Sequence, residues 1–347
     1  MNSSLKTKIN HRLKEYVTCR IKIYKLNDIN KFLSKAIEEF ILRNGKRIRP
    51  ILFLLAYSGY GGKRLNKQII ETSLAFELLH DFLLIHDDII DNSATRRGKP
   101  TIHKIFAANL KKNEEMGKSI AIVSADIIFS LAIEAFLSIN TTQKNKETAL
   151  KIFLQSVTLT GAGEIKDVLN SLIKIKEISL EEIRLNYQLK TAEYTFKSPL
   201  ACGCILAGAN KKQAELMSDY GGFLGEAFQI YDDLIGLFGN SKKIGKSVLS
   251  DLIEAKKTLP IFLTYQKANI SERKFINFCL GNKNLNFSDL QKIRKIIIKT
   301  EALAQTNNTI KQLMLQADNL LKSSKMSEKY KKIISSYANS YIKGLQN

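Results

Sequence analysis

Tryptophan is absent from the 347 residues, and proline and cysteine occur only four times each. Proline at about a quarter of its average usage leaves little to interrupt helices, so long helices are expected. The cysteines (Cys19, Cys202, Cys204, Cys279) are too scattered for a disulfide framework and suit a reducing, cytoplasmic compartment. Cys202-Gly203-Cys204 lacks a second Cys or His pair at zinc spacing and reads as two small thiols facing a core. Residues 1–27 hold no apolar run of signal-peptide length, and their basic, Lys-dotted character makes only a weak case for a transit peptide. The stretch 119–139 has the length to cross a bilayer, but Asp126 and Glu134 would be costly there, so it reads as a buried helix and no transmembrane segment is expected. The one Asn-Gly pair, Asn44-Gly45, is not flanked by alternating strands, and no hairpin is expected at it.

What is present is ordinary globular composition, 44% hydrophobic and 25% charged, with a formal net charge of +21. That excess is nearly all lysine, 43 against 11 arginines, which fits a dedicated nucleic-acid reader poorly because bidentate contacts favour arginine. Apolar residues recur at spacings of three and four through Leu74, Leu78, Phe82, Ile85 and Ile89, and again over 51–56, 122–136, 152–159 and 223–237. Breaks fall at 59–63, 92–100, 140–146, 173–180 and 239–245. With no tandem repeat and no linker, the expectation is one all-α domain over 1–347. Its motif-bearing core covers about 44–265, and Lys-rich helices over 270–347 lie at the periphery.

The chemistry concentrates in His80 to Pro100, HDFLLIHDDIIDNSATRRGKP. On a helix Asp91 lies about 40° round from Asp87 and His80 about 20° on the other side, so the three form one polar stripe, while Asp88, about 100° round, suits a supporting role. Two carboxylates one turn apart at a helix C-terminus repel unless a cation joins them, which favours Mg²⁺ completed by water and phosphate oxygens. An isolated DDxxD also fits a solvated acidic helix end. Arg96 and Arg97 follow in a loop, where guanidinium and metal together would neutralise a diphosphate. Gly45-Lys46-Arg47-Ile48-Arg49-Pro50 puts basic groups ahead of a helix start; a solvated basic turn is the alternative. Over 221–239, GGFLGEAFQIYDDLIGLFG sets Phe228 one turn before Asp232 and Gln229 one turn before Asp233, with Gly236 where a third Asp would complete a second DDxxD. Gly221, Gly222 and Gly225 suit close helix packing. A basic stretch from Lys246 to Lys257 follows, equally readable as a solvated loop.

In order along the chain, GKRIRP, HDFLLIHDDIID, RRGKPTIH, SADIIFSLA, GEIKD, KTAEYTF, FQIYDDLIG and GKSVLSDLIEAKKTLP resemble the trans-isoprenyl diphosphate synthase (polyprenyl synthetase) family. The resemblance implies an all-α bundle with a central cavity, normally homodimeric, that joins isopentenyl diphosphate to an allylic diphosphate. It implies about three Mg²⁺ per active site, two on Asp87 and Asp91 and another on Asp232, with Asp88 and Asp233 supporting. Arg96, Lys190 and Lys246 would grip the allylic diphosphate. Lys46, Arg49, His80, Arg97 and Phe228 would form the isopentenyl diphosphate site, and Thr191 and Gln229, with the Lys190 carbonyl, would face the allylic cation. The chain departs from the family at Gly236, at Glu164 where Gln is common, and at Ala125 and Ala255 where Gly is common.

Phe82, five residues before Asp87, together with a first motif lacking an insertion, resembles archaeal-type geranylgeranyl diphosphate synthases and implies a C20 product. Helix geometry instead puts Leu83 and Leu79 nearer to beneath Asp87. The alternatives are a farnesyl or longer-chain synthase, a non-catalytic partner subunit, a class I terpene cyclase, and a basic nucleic-acid-binding protein. The intact aspartates and arginines weigh against the last three.

Overall fold

Asparagine opens many of the helices. Its side-chain oxygen accepts an otherwise unpaired N–H of the first turn at Asn30, Asn66, Asn113 and Asn210, and it forms reciprocal capping boxes at Asn269 with Glu272 and at Asn286 with Asp289. Each such cap stabilises its helix by about 1 kcal/mol relative to alanine. The computed structural model describes residues 2–239 and 248–343. Among these residues the chain is helical except for its connections and one two-residue hairpin, Thr95–Arg96 against Lys99–Pro100. The prolines stand where the chain turns or a helix begins: Pro50 in the first turn of Ile48–Gly59, Pro100 in the hairpin, Pro199 at the start of Ser198–Leu206 and Pro260 at the start of Leu259–Lys267.

The helices gather into two compact units. The first comprises Met1–Leu150 and Cys202–Ala209. In it Lys67–Ile90 packs along Glu114–Phe136, with Ile102–Asn109 and Ile48–Gly59 against them. The rings of Phe53, Phe76 and Phe136 meet at 5.2 and 6.1 Å, and Cys202 and Cys204 are fully buried, as their sequence context implies. Sequence reading assigned no structure to the N-terminal stretch, yet Asn2–Ile23 is a helix burying Leu5, Ile9, Leu13 and Tyr16, a spacing of four, four and three that the lysines between them obscure. The 119–139 stretch also differs from expectation. Its helix, Glu114–Phe136, is long and apolar enough to cross a membrane and is buried on one side only, leaving Met116, Ile122 and Val123 exposed.

The second unit comprises Lys151–Ala201 and Asn210–Asn347. Lys211–Phe238 is its axis, flanked by Ala302–Ser323 and by a π-helix, Gln188–Lys197, that continues Leu180–Tyr187. Tyr231 and Leu234 share a buried cluster with Leu290, Ile293, Ile310 and Leu313, so the C-terminal helices contribute to the core. The glycines expected to permit close packing do so around the π-helix. A side-chain carbon at Gly221 would lie 2.8 Å from the Lys197 nitrogen, one at Gly163 would lie 2.6 Å from that of Lys190, and Gly225 abuts Ala192.

Candidate functional site

The first aspartate group closes the helix Lys67–Ile90, where Asp91 is the C-cap and its N–H donates to the Asp87 carbonyl at 2.9 Å. The pair divides by exposure: Asp87 and Asp91 are partly exposed, whereas Asp88 is fully buried. Arg96 bridges the two adjacent carboxylates, its Nε donating to Asp88 Oδ1 at 2.6 Å and its Nη2 to Asp87 Oδ2 at 2.8 Å. This neutralises part of the negative charge that the helix end concentrates.

Arg96 is delivered by the hairpin, whose two turn residues, Arg97 and Gly98, both have positive φ, 56° and 74°. That pattern suits the twist of a two-residue hairpin, which the sequence hides because arginine rather than asparagine stands at the first turn position. The hairpin lays the Arg97 guanidinium against the GKRIRP segment: a side-chain carbon at Gly45 would sit 3.2 Å from Arg97 Nη1. Lys46 is exposed and Arg49 is buried. His80 is partly exposed among these cations; burial, and then the charges of Arg49, Arg97, Arg96 and Arg47, hold its pKa well below the ordinary imidazole value. The structure thus sets His80 among Arg47, Arg49, Arg96 and Arg97, with the Arg97 guanidinium also against Gly45.

Beneath this group lie residues that sequence reading left without a role. Arg47, buried and at φ 54°, donates to Glu77 at 2.6 Å, to Asn10 at 2.9 Å and to the Arg43 carbonyl at 2.8 Å, so it anchors the loop rather than reaching for a ligand. Asp81, one helical turn beyond Glu77, is buried with both carboxyl oxygens lacking a hydrogen-bond partner. Burial and the Glu77 charge push its pKa well up against the pull of Arg47, Arg97 and Arg49. Two acidic residues one turn apart, Glu77 and Asp81, on an apolar helix were the available signal. Phe82 is partly exposed and rests on His86 and Phe129, with ring centroids at 4.8 and 5.0 Å; Leu83 is partly exposed and Leu79 buried.

In the second unit the same division recurs: Asp232 is exposed and Asp233 buried. Asp233 belongs to a chain of hydrogen bonds. The Thr191 hydroxyl donates to Gln229 Oε1 at 2.7 Å, Gln229 Nε2 donates to Asp233 Oδ1 at 3.0 Å, the Tyr187 hydroxyl donates to Asp233 Oδ2, and the Leu259 N–H donates to the Tyr187 oxygen at 2.7 Å. Burial, and then the charge of Asp251, push the Asp233 pKa well up, opposed by the bonds from Tyr187 and Gln229. Tyr187 was missed from sequence; it precedes Thr191 by one helical turn, which was the signal available. Lys190 Nζ lies 2.9 Å from Glu164 and 2.7 Å from Asp167, both on Gln143–Leu172. The Phe228 ring packs against Phe196, tilted, with centroids 5.5 Å apart. Lys246 lies outside the described residues.

Among the described residues no three Asp, Glu, His or Cys side chains converge closely enough to hold a metal unaided. Asp87 and Asp91 in the first unit, and Asp232 in the second, are accessible carboxylates of the type that a hard cation takes one or two of before completing its shell with water and ligand oxygens.

Comparison with known proteins follows the same lines. The profile of the family described as polyprenyl synthetase matches residues 30–297. A geranylgeranyl diphosphate synthase of Saccharolobus solfataricus is 32% identical over 297 residues, covering 84% of this chain and 81% of its own. Another, of Sulfolobus acidocaldarius, is 34% identical over 283 residues, 80% of each chain. A crystal structure of geranylgeranyl pyrophosphate synthase from Corynebacterium glutamicum, complexed with isoprenyl diphosphate and magnesium, shares the fold. Its TM-score is 0.89 at 24% identity, covering 97% of this chain and 98% of that one.

Proposed function

The chain belongs to the polyprenyl synthetase family and is a trans-prenyltransferase, and from that premise we propose that it condenses isopentenyl diphosphate with an allylic diphosphate to give the C20 geranylgeranyl diphosphate. The observation that carries the reading is the division of each aspartate pair into one accessible and one buried, hydrogen-bonded carboxylate. A solvated acidic surface would have no reason to bury and tie down every second acid.

Magnesium, about three ions held by Asp87, Asp91 and Asp232, supplies positive charge to the departing diphosphate when bound. Asp88 and Asp233 steady their neighbours through Arg96, Gln229 and Tyr187. Arg96, Lys190 and Lys246 hold the allylic diphosphate while its C–O bond breaks, and the electron pair of that bond leaves with the diphosphate. The Thr191 hydroxyl, its O–H donated in a hydrogen bond to Gln229 Oε1, turns oxygen lone pairs to the allylic cation. The second lone pair of Gln229 Oε1 and the Lys190 carbonyl do the same. Lys46, Arg49, His80, Arg97 and Phe228 hold isopentenyl diphosphate, whose double bond attacks the cation. The released diphosphate then removes a proton from the adduct to restore a double bond. A His80 kept neutral among guanidiniums accepts or donates a hydrogen bond without adding a competing charge.

The C20 length rests on Phe82 and on the two geranylgeranyl diphosphate synthases above. Homodimeric assembly and a cytoplasmic location belong to the same proposal. The test is incubation of the purified protein with Mg²⁺, isopentenyl diphosphate and dimethylallyl, geranyl or farnesyl diphosphate, followed by mass analysis of the product. A C20 product is expected; no condensation with any primer overturns the reading, and a farnesyl or longer product overturns the length.

A further inference from the structure

A single tyrosine hydroxyl ties together three elements of the second unit. Tyr187 is buried where Leu180–Tyr187 passes into the π-helix Gln188–Lys197, its ring in one core cluster with Tyr231 and Leu234. The helix Leu259–Lys267 lacks the usual cap. Thr258 makes no side-chain bond to its first turn, the Thr258 hydroxyl is buried without a partner, and Pro260 has no N–H. The Tyr187 oxygen stands in for that cap, accepting the Leu259 N–H at 2.7 Å.

A peptide N–H can only donate, so the chain of bonds has a fixed beginning. With its oxygen accepting from Leu259, the Tyr187 hydroxyl points its proton at Asp233 Oδ2. Asp233 accepts at its other oxygen from Gln229 Nε2 at 3.0 Å. That leaves the carbonyl end of Gln229 toward Thr191, whose hydroxyl donates to it at 2.7 Å. The order matters because the two ends of an amide are alike in size and opposite in polarity. Turned end for end, Gln229 would present N–H groups where the proposed reaction needs oxygen lone pairs beside a developing cation.

We propose that Tyr187 is a positioning residue for the allylic step: through Asp233 it holds the Gln229 amide with its oxygen, not its nitrogen, toward Thr191 and the allylic cation. Without the hydroxyl, Asp233 Oδ2 is left buried with no donor, and the carboxylate is free to turn away from Gln229. Gln229 then has no fixed partner to decide between its two ends. The inference rests on the condensation proposed above.

The test is a double-mutant cycle in steady-state turnover with Tyr187→Phe, Gln229→Ala and both together, each assayed well below its own thermal midpoint. Tyr187→Phe keeps the buried ring and removes only the hydroxyl. It should lower kcat roughly tenfold or more, the scale for outer hydrogen-bond partners of a metal-dependent site. The allylic KM, and the affinity for inorganic diphosphate at fixed Mg²⁺ by titration calorimetry, should stay within about twofold of wild type, because the cation forms only after the substrate has bound. In the Gln229→Ala background the same change should leave kcat unaltered, since the group it positions is gone. A Tyr187→Phe kcat equal to that of wild type overturns the proposal. A loss of the same size in the Gln229→Ala background does so too, as does a weakened diphosphate affinity, which would mark a general loosening of the second aspartate group. A wild-type chain that makes no condensation product overturns the function and this inference together.

Discussion

Replacing Glu164 by glutamine probes the one departure from the family that touches a proposed substrate contact. Lys190 Nζ sits 2.9 Å from Glu164 and 2.7 Å from Asp167, so an allylic diphosphate held there, as proposed, would compete with two carboxylates for one ammonium group. At about 3 Å and an effective dielectric near 20, each pair is worth roughly 5 kcal/mol of gross Coulomb energy. The three side chains are 22%, 21% and 17% exposed, and Asp167 stays in place to share the ammonium. Hydration and the retained amide hydrogen bond reduce the net gain to about 1 kcal/mol. Steady-state kinetics of Glu164→Gln should therefore show the KM for the allylic substrate lowered about fivefold at low salt, with kcat little changed, the pattern of altered uniform binding. The gain should shrink as ionic strength rises. An unchanged or raised KM would show that Lys190 is not released toward the diphosphate and would refute the reasoning.

Three other outcomes follow from the geometry. Phe82→Ala removes a ring packed against Phe129 at 5.0 Å between centroids, and mass analysis should find product longer than C20; an unchanged product profile would remove Phe82 as the length determinant. Ala255 sits at φ 55°, a conformation that costs alanine about 1–2 kcal/mol, so Ala255→Gly should stabilise the protein by about 0.5–1 kcal/mol in urea denaturation after the entropy of the added glycine is subtracted. Asp81 is buried with its pKa raised, so above about pH 4 the unfolded chain gives up a proton that the folded chain keeps, and the group subtracts stability as pH rises toward its folded value. The stability of Asp81→Asn relative to wild type should accordingly grow from pH 4 to pH 7; a difference that narrows over that range would contradict the assignment.

Much of this was legible in the sequence because the family's chemistry is local. Asp87, Asp91, Arg96 and Arg97 lie within eleven residues, so spacing on one helix and the loop after it places them together. The same periodicity argument set Asp88 apart from Asp87 and Asp91 on the helix, and Asp88 is the one of the three that is buried, against Arg96. What escaped was long-range pairing. Glu77 and Arg47 are thirty residues apart, Tyr187 and Asp233 forty-six, and nothing in the pattern of either partner announces the other. Backbone departures were equally silent: Arg97 and Ala255 hold positive φ without the glycine or asparagine that would mark it. The π-helix was likewise unmarked, since Gln188–Lys197 has ordinary helical composition and is held open by glycines on two other helices.

That wide helix makes chain length itself a functional variable here. A π turn carries one more residue per loop than an α turn, so a single deletion within 188–197 would let the segment relax into the commoner helix. The helix would be more regular, but the rewinding would change the rotation between its two ends. Lys190 and Thr191 on one side of such a cut would then no longer share an orientation with Phe196 and Lys197 on the other. Within this stretch, point substitutions are tolerable experiments and deletions are not, because the surplus residue is what aims the segment's two ends.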